Sequence, residues 1–180
     1  MTEKKPNTHG GGAKTNEFGL KFEQTTSLDK ALTDAGYTVK NFKVINSSGK
    51  IIGLSVPKSK LYKQFLERND INYKDYNSKQ WQPDEAFVNY KNKTVYIIEK
   101  KFQHESGSVD EKLPNCEFKK QEYEKLCTPI GYEVKFYYVL SDWFKDHRYR
   151  DTLQYIYEKD CLYFYNEIPL DLLGLDEKDI

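Results

Sequence analysis

Phe18, Phe22, Leu28, Leu32 and Ala35, with Thr25 among them, recur at helical spacing along residues 16–35. That stripe predicts an amphipathic helix, and Gly36-Tyr37 supplies its stop signal. The pattern then changes. Residues 38–45 and 50–56 read as strands about the turn-like Asn46-Ser47-Ser48-Gly49. A short helix fits residues 59–67, and the polar, Asn-, Asp- and Lys-rich residues 69–82 read as a long loop of the kind that often serves function. Two more strands are predicted over 84–90 and 94–103, joined by a tight connection that includes Asn92. After a loop at 107–114, a helix over 116–127 stops before Pro129 and Gly131. Residues 133–141 are strongly β-prone, 143–158 read as helix, and 161–165 as a last strand. Helix, strands, helix, strand, helix, strand predicts an α/β sandwich around a mixed sheet.

Composition supports a folded chain: 15 Tyr, 10 Phe and 2 Trp are too many aromatic residues for a solvated coil. Residues 1–15 are polar, contain Gly10-Gly11-Gly12 and read as a flexible arm, which leaves 16–180 as one domain. Basic and acidic residues balance at 28 each, so net charge alone names no partner. The charge is uneven, however. Residues 166–180 hold five acids and one base, so the remainder carries +4, which permits a polyanionic ligand. Cys116, Cys127 and Cys161 are widely spaced, form no CxxC pair and read as free buried thiols. His9, His104 and His147 do not fall at zinc-ligand spacing. There is no apolar leader and no run long enough to span a bilayer, so the expectation is a cytoplasmic protein without membrane contact.

Chemistry concentrates in two neighbouring segments, Gln82-Pro83-Asp84-Glu85-Ala86-Phe87-Val88 and Val95-Tyr96-Ile97-Ile98-Glu99-Lys100-Lys101-Phe102. Side chains alternate along a strand, so Glu99 and Lys101 share one face while Lys100 points to the other. With a two-residue turn that includes Asn92, paired residues sum to 183 or 185, and Asp84 lies opposite Glu99 or Lys101. Either register gathers two carboxylates and a lysine, with cross-strand Cβ atoms roughly 5 Å apart. Two carboxylates can hold a hard cation that keeps several waters and takes phosphate oxygens as further ligands. A neighbouring lysine can orient or deprotonate a water and stabilise an oxyanion. The chemistry this suits is phosphodiester hydrolysis. A bare ExK at a strand end would otherwise be a solvent-facing pair; the Pro-Asp before the preceding strand gives it its meaning.

Pro83-Asp84, fourteen intervening residues and Glu99-Lys100-Lys101 resemble the signature of the PD-(D/E)XK nuclease superfamily, which includes many type II restriction endonucleases. Residues 107–113 followed by Phe118-Lys119-Lys120-Gln121 look like the loop and helix after the catalytic strand in some restriction enzymes, and Ile168 to Leu175 resembles their C-terminal ends. The resemblance implies a mixed central β-sheet flanked by helices with an αβββαβ core. It also implies Asp84 and Glu99 as Mg²⁺ ligands, joined by the main-chain carbonyl of Lys100, and Lys101 as the catalytic lysine. A glutamate from the first helix often joins the site, and Gly19-Leu20-Lys21-Phe22-Glu23 resembles that segment. Helical geometry puts Glu23 far from the apolar stripe and Glu17 at its edge; the resemblance favours Glu23.

Lys112, Lys119, Lys120, Gln121 and Lys125 lie on a loop and helix placed to follow a phosphate backbone, with Lys120 and Gln121 foremost. Glu117, Glu122 and Glu124 interrupt that face. Lys145, His147, Arg148 and Arg150 form a second basic cluster that reads as plain surface, and His104 has no companion for histidine-based nuclease chemistry. The sequence thus leads to a Mg²⁺-dependent endonuclease of double-stranded DNA, a type II restriction enzyme acting as a homodimer. The alternatives are a junction-resolving, repair or phage nuclease of the same fold, or a non-catalytic DNA-binding module.

Overall fold

The computed structural model describes residues 20–22, 24–104 and 109–175. Seven strands form one sheet in chain order: β1 (Thr38–Lys40), β2 (Lys43–Ile45), β3 (Ile51–Pro57), β4 (Glu85–Asn89), β5 (Thr94–Lys101), β6 (Glu133–Leu140) and β7 (Cys161–Tyr165). β1 through β5 pair antiparallel, and β5, β6 and β7 pair parallel. The two parallel steps need crossovers, supplied by helices α2 (Cys116–Cys127) and α3 (Arg150–Glu158). Helix α1 (Leu28–Asp34) precedes the sheet. This is the mixed α/β sandwich that the order of elements predicts.

Both faces of the central strands are covered, so β4 and β5 read as continuous apolar runs. Ala86, Val88, Val95 and Ile97 turn to one core, closed by Tyr123 and Leu126 of α2 and by Leu153 and Ile156 of α3. Phe87, Tyr96 and Ile98 turn to the other, closed by Leu28 and Leu32 of α1 and by Ile168, Leu173 and Leu175. The C-terminal segment is tied down by Asn89, whose buried Nδ2 donates to the Leu173 carbonyl at 2.9 Å. Gly174 stands there at φ +69°, and a Cβ on it would meet the Asn92 amide at 2.4 Å.

Three predicted elements break where polar side chains or backbone strain intervene. The strand over 38–45 is two strands, because Asn41 and Phe42 take φ of 50° and 67° and turn the chain between the paired Lys40 and Lys43. Around residue 26 the first helix is interrupted. Residues 20–22, 24 and 25 are helical, then Ser27 takes extended angles and caps α1, its hydroxyl accepting from the Lys30 N–H at 3.4 Å. The helix over 143–158 is two 3₁₀ turns followed by α3, split at Asp146, whose carboxylate accepts the Arg148 N–H at 3.0 Å.

Candidate active site

The β4–β5 ladder pairs Glu85 with Ile98 and Asn89 with Thr94. Paired numbers sum to 183, the first of the two registers allowed by the turn, although residues 90–93 make a four-residue connection. Asp84 stands one residue ahead of β4, and continuing that register places it opposite Glu99. The entry is pinned by Lys58, whose N–H donates to the Pro83 carbonyl at 3.1 Å. The Lys100 N–H donates to Asp84 Oδ2 at 2.7 Å, which fixes the carboxylate against β5.

On the face shared with α2, the Lys101 ammonium lies 2.8 Å from Glu99 Oε2 and 3.8 Å from Asp84 Oδ2. It also stands over the Tyr138 ring, 5.9 Å from the centroid. From α2, Lys119 brings a second ammonium to Glu99 Oε2, at 3.0 Å. The Glu99 side chain is 5% exposed and Asp84's 40%, so the patch runs from a buried carboxylate to an open one. Beneath it lies buried Tyr123, whose phenol is raised well above its ordinary value by burial and then by the charge of Glu99, so it stays neutral. The structure therefore brings Asp84, Glu99 and Lys101 together and adds Lys119, which the sequence nominates only as a contact for DNA. No local signal reveals that role, because it depends on how α2 docks across the sheet.

Strand alternation sends Lys100 to the opposite face. There its ammonium meets Glu85 Oε2 at 2.7 Å, and the Leu28 N–H at the start of α1 donates to both Glu85 oxygens, at 3.1 and 3.2 Å. Burial pushes the Glu85 carboxyl above its ordinary value, against the pull of Lys100 and of that N–H. Behind Asp84, a cavity of about 280 Å³ is bordered by Leu20, Gln24, Lys58, Glu85 and Lys100. Glu23 and Glu17, the candidates from the first helix, lie outside the described residues, but positions 20 and 24 show that this helical segment passes beside Asp84.

The other nominated residues stand elsewhere. Lys120 turns from the patch to Asp160, at 2.7 Å, and to Glu124, at 3.8 Å. Gln121 and Lys112 are exposed, and Lys125 pairs with the buried Glu122. The carbonyls of Lys112 and Leu113 accept from the Tyr138 hydroxyl, which anchors the start of that segment over β6. Among the described residues no three His, Cys, Asp or Glu side chains gather at one point. The cysteines are free and buried, and burial with the nearby Glu124 charge pushes the Cys127 thiol up to about 12.

Asp84 and Glu99 fit a divalent metal of the hard, oxygen-loving kind. Both turn toward the same Lys101 ammonium, and a metal that keeps several waters needs few protein oxygens. A family model described as a PD-(D/E)XK nuclease superfamily domain matches residues 14–130, a span that includes the whole patch. No curated protein and no solved structure gives a match. No described helix is long and apolar enough to cross a membrane.

Proposed function

Because this chain belongs to the PD-(D/E)XK nuclease superfamily and is by that membership a nuclease, we propose that it is a Mg²⁺-dependent endonuclease of double-stranded DNA, a type II restriction enzyme that acts as a cytoplasmic homodimer. The observation that carries the reading is the meeting of Asp84 and Glu99 with the Lys101 and Lys119 ammoniums in one patch that grades from buried to open. A binding module would gain nothing from clustered acids where phosphates must approach. Two-fold symmetric subunits suit the two strands of a palindromic site.

Asp84, Glu99 and the Lys100 carbonyl would hold the ion, which when bound supplies a Lewis acid and a more acidic water. Lys101 is placed to steady the attacking water and the developing negative charge, since its ammonium lies between the two carboxylates. Lys119 holds Glu99 in the resting protein and adds positive charge for a phosphate. Lys112 and Gln121, exposed on the same segment, are placed for contacts farther along the backbone, whereas Lys120 would first have to leave Asp160.

Incubation with phage DNA in Mg²⁺, with and without chelator, tests the reading on a gel. Discrete bands that vanish with chelator support it. Cleavage confined to branched substrates would make the protein a junction or repair nuclease, and no cleavage under any metal would overturn the reading. The resting contact between Lys119 and Glu99 yields a further expectation. An ammonium 3.0 Å from a ligand oxygen competes with the metal for it. Lys119→Met should therefore bind Mn²⁺ a few-fold more tightly in calorimetry while cutting DNA at least tenfold more slowly. Unchanged affinity and unchanged rate together would assign Lys119 to the protein surface.

A further inference from the structure

Phe118 is the anomaly of helix α2. The inward side of that helix is Cys116, Tyr123, Leu126 and Cys127, all buried, yet the Phe118 ring is 52% exposed. The next residue, Lys119, reaches Glu99. Phe118 therefore stands one helix position before the residue that reaches the carboxylate patch, with an apolar face in water.

Its only ring partner among the described residues is Trp81, which meets it edge-on at 5.6 Å and 82°. Trp81 is itself held from several sides. Its indole N–H donates to the buried Glu122 at 3.2 Å, its carbonyl accepts the Tyr62 hydroxyl at 2.5 Å, and the Lys79 ammonium sits 4.3 Å from its ring centroid. Phe118 and Glu122 are four apart on α2, so Trp81 lies across one helix face and props Phe118 from the side. Trp81 is also three residues ahead of Asp84. A braced aromatic pair, with the Lys79 ammonium on its Trp81 ring, is thus fixed to both chain segments that build the site.

We propose that Phe118, braced by Trp81, is a stacking platform for one nucleobase of the cleaved strand, next to the scissile phosphate. The inference rests on the nuclease reading above and narrows its substrate: the base on Phe118 must be unstacked from its neighbours, because a ring can take only a base face that is free. The Lys79 ammonium on the Trp81 ring gives the platform a positive charge suited to a phosphate beside such a base. Stacking of this kind tolerates any base, so the platform positions the strand and leaves sequence reading to other contacts.

A coupling experiment tests this with the full chain. Once the cut is mapped, oligonucleotide duplexes are made with each nucleotide near it abasic in turn, and binding in Ca²⁺ and cleavage in Mg²⁺ are measured for the wild type and Phe118→Ala. The wild type should lose about fivefold or more at one abasic position beside the cut. Phe118→Ala should lose the same on the intact duplex and nothing further on that abasic one, and Phe118→Trp should restore the wild-type values. A mismatch opposite that nucleotide, which eases unstacking, should favour the wild type and not Phe118→Ala. Losses that simply multiply, or a Phe118→Ala protein equal to wild type, overturn the platform while the nuclease reading stands. A Phe118→Ala chain that changes its sedimentation instead assigns the ring to a second copy of the protein and also overturns it. If the wild type neither binds nor cuts DNA, both readings fall.

Discussion

Asp84→Asn, Glu99→Gln and Lys101→Met are each expected to slow DNA cleavage by about 10³-fold or more, roughly 4 kcal/mol in the barrier. These variants preserve shape and remove only charge. The expectation follows from how few groups the patch holds: two carboxylate side chains, the Lys101 ammonium that reaches both and Lys119 on Glu99 alone, with no third acid among the described residues to take over. Binding should respond differently from rate. Asp84 is the open end of the patch, so neutralising it removes a negative charge from the path of a phosphate. Without metal, Asp84→Asn should hold DNA as tightly as the wild type or more tightly, and the affinity of both should fall steeply with salt. A gel-shift titration checks this. An Asp84→Asn protein that no longer binds DNA would assign the residue to structure, through its 2.7 Å hydrogen bond from the Lys100 N–H. Glu99→Gln needs a thermal melt beside the assay, because it leaves Lys101 and Lys119 facing each other without their shared anion.

The sequence carries the two strands of the candidate site because both effects that place their side chains are local. Alternation separates Glu99 and Lys101 from Lys100, and the tight connection restricts the register to two values, of which the ladder takes the one that sets Asp84 opposite Glu99. Helix α2, predicted to stop before Pro129 and Gly131, and strand β7 over 161–165 both form where the sequence sets them. The hairpin at Asn41-Phe42 is not, because its second left-handed residue is a phenylalanine and the usual Asn-Gly cue is missing. Asp146 splits the helix before α3 by a side-chain hydrogen bond that periodicity does not register. The contacts of Lys119 with Glu99 and of Phe118 with Trp81 escape for another reason. They come from the docking of α2 against distant segments, a long-range fact that leaves no trace in spacing.

Lys100→Met is expected to lower stability by about 3 kcal/mol, which at this chain length moves the midpoint of thermal unfolding down by roughly 6–12 °C. The Lys100 and Glu85 side chains are only 9% and 17% exposed, so removing the ammonium leaves a carboxylate in a site that already resists its charge. The raised position of the Glu85 carboxyl is the sign of that resistance: desolvation, with the charge of Asp29 added, outweighs the attraction of Lys100 and the Leu28 N–H. A pair of this kind contributes little net stability, yet breaking it on one side is costly. The double variant Lys100→Met with Glu85→Gln should therefore regain more than half of the loss. Glutamine carries no charge, and its amide oxygen can still accept the Leu28 N–H that ties α1 to the sheet. Cleavage measured well below the melting temperature should stay within about tenfold of wild type, because the peptide N–H that holds Asp84 and the carbonyl of residue 100 are both retained. Differential scanning calorimetry of the two single variants and the double variant gives the coupling directly. A Lys100→Met loss below about 1 kcal/mol would make the pair a solvated surface contact. A cleavage defect as deep as that of Lys101→Met, in a protein still folded, would instead bring the Lys100 side chain onto the catalytic face and break the register argument for the whole site.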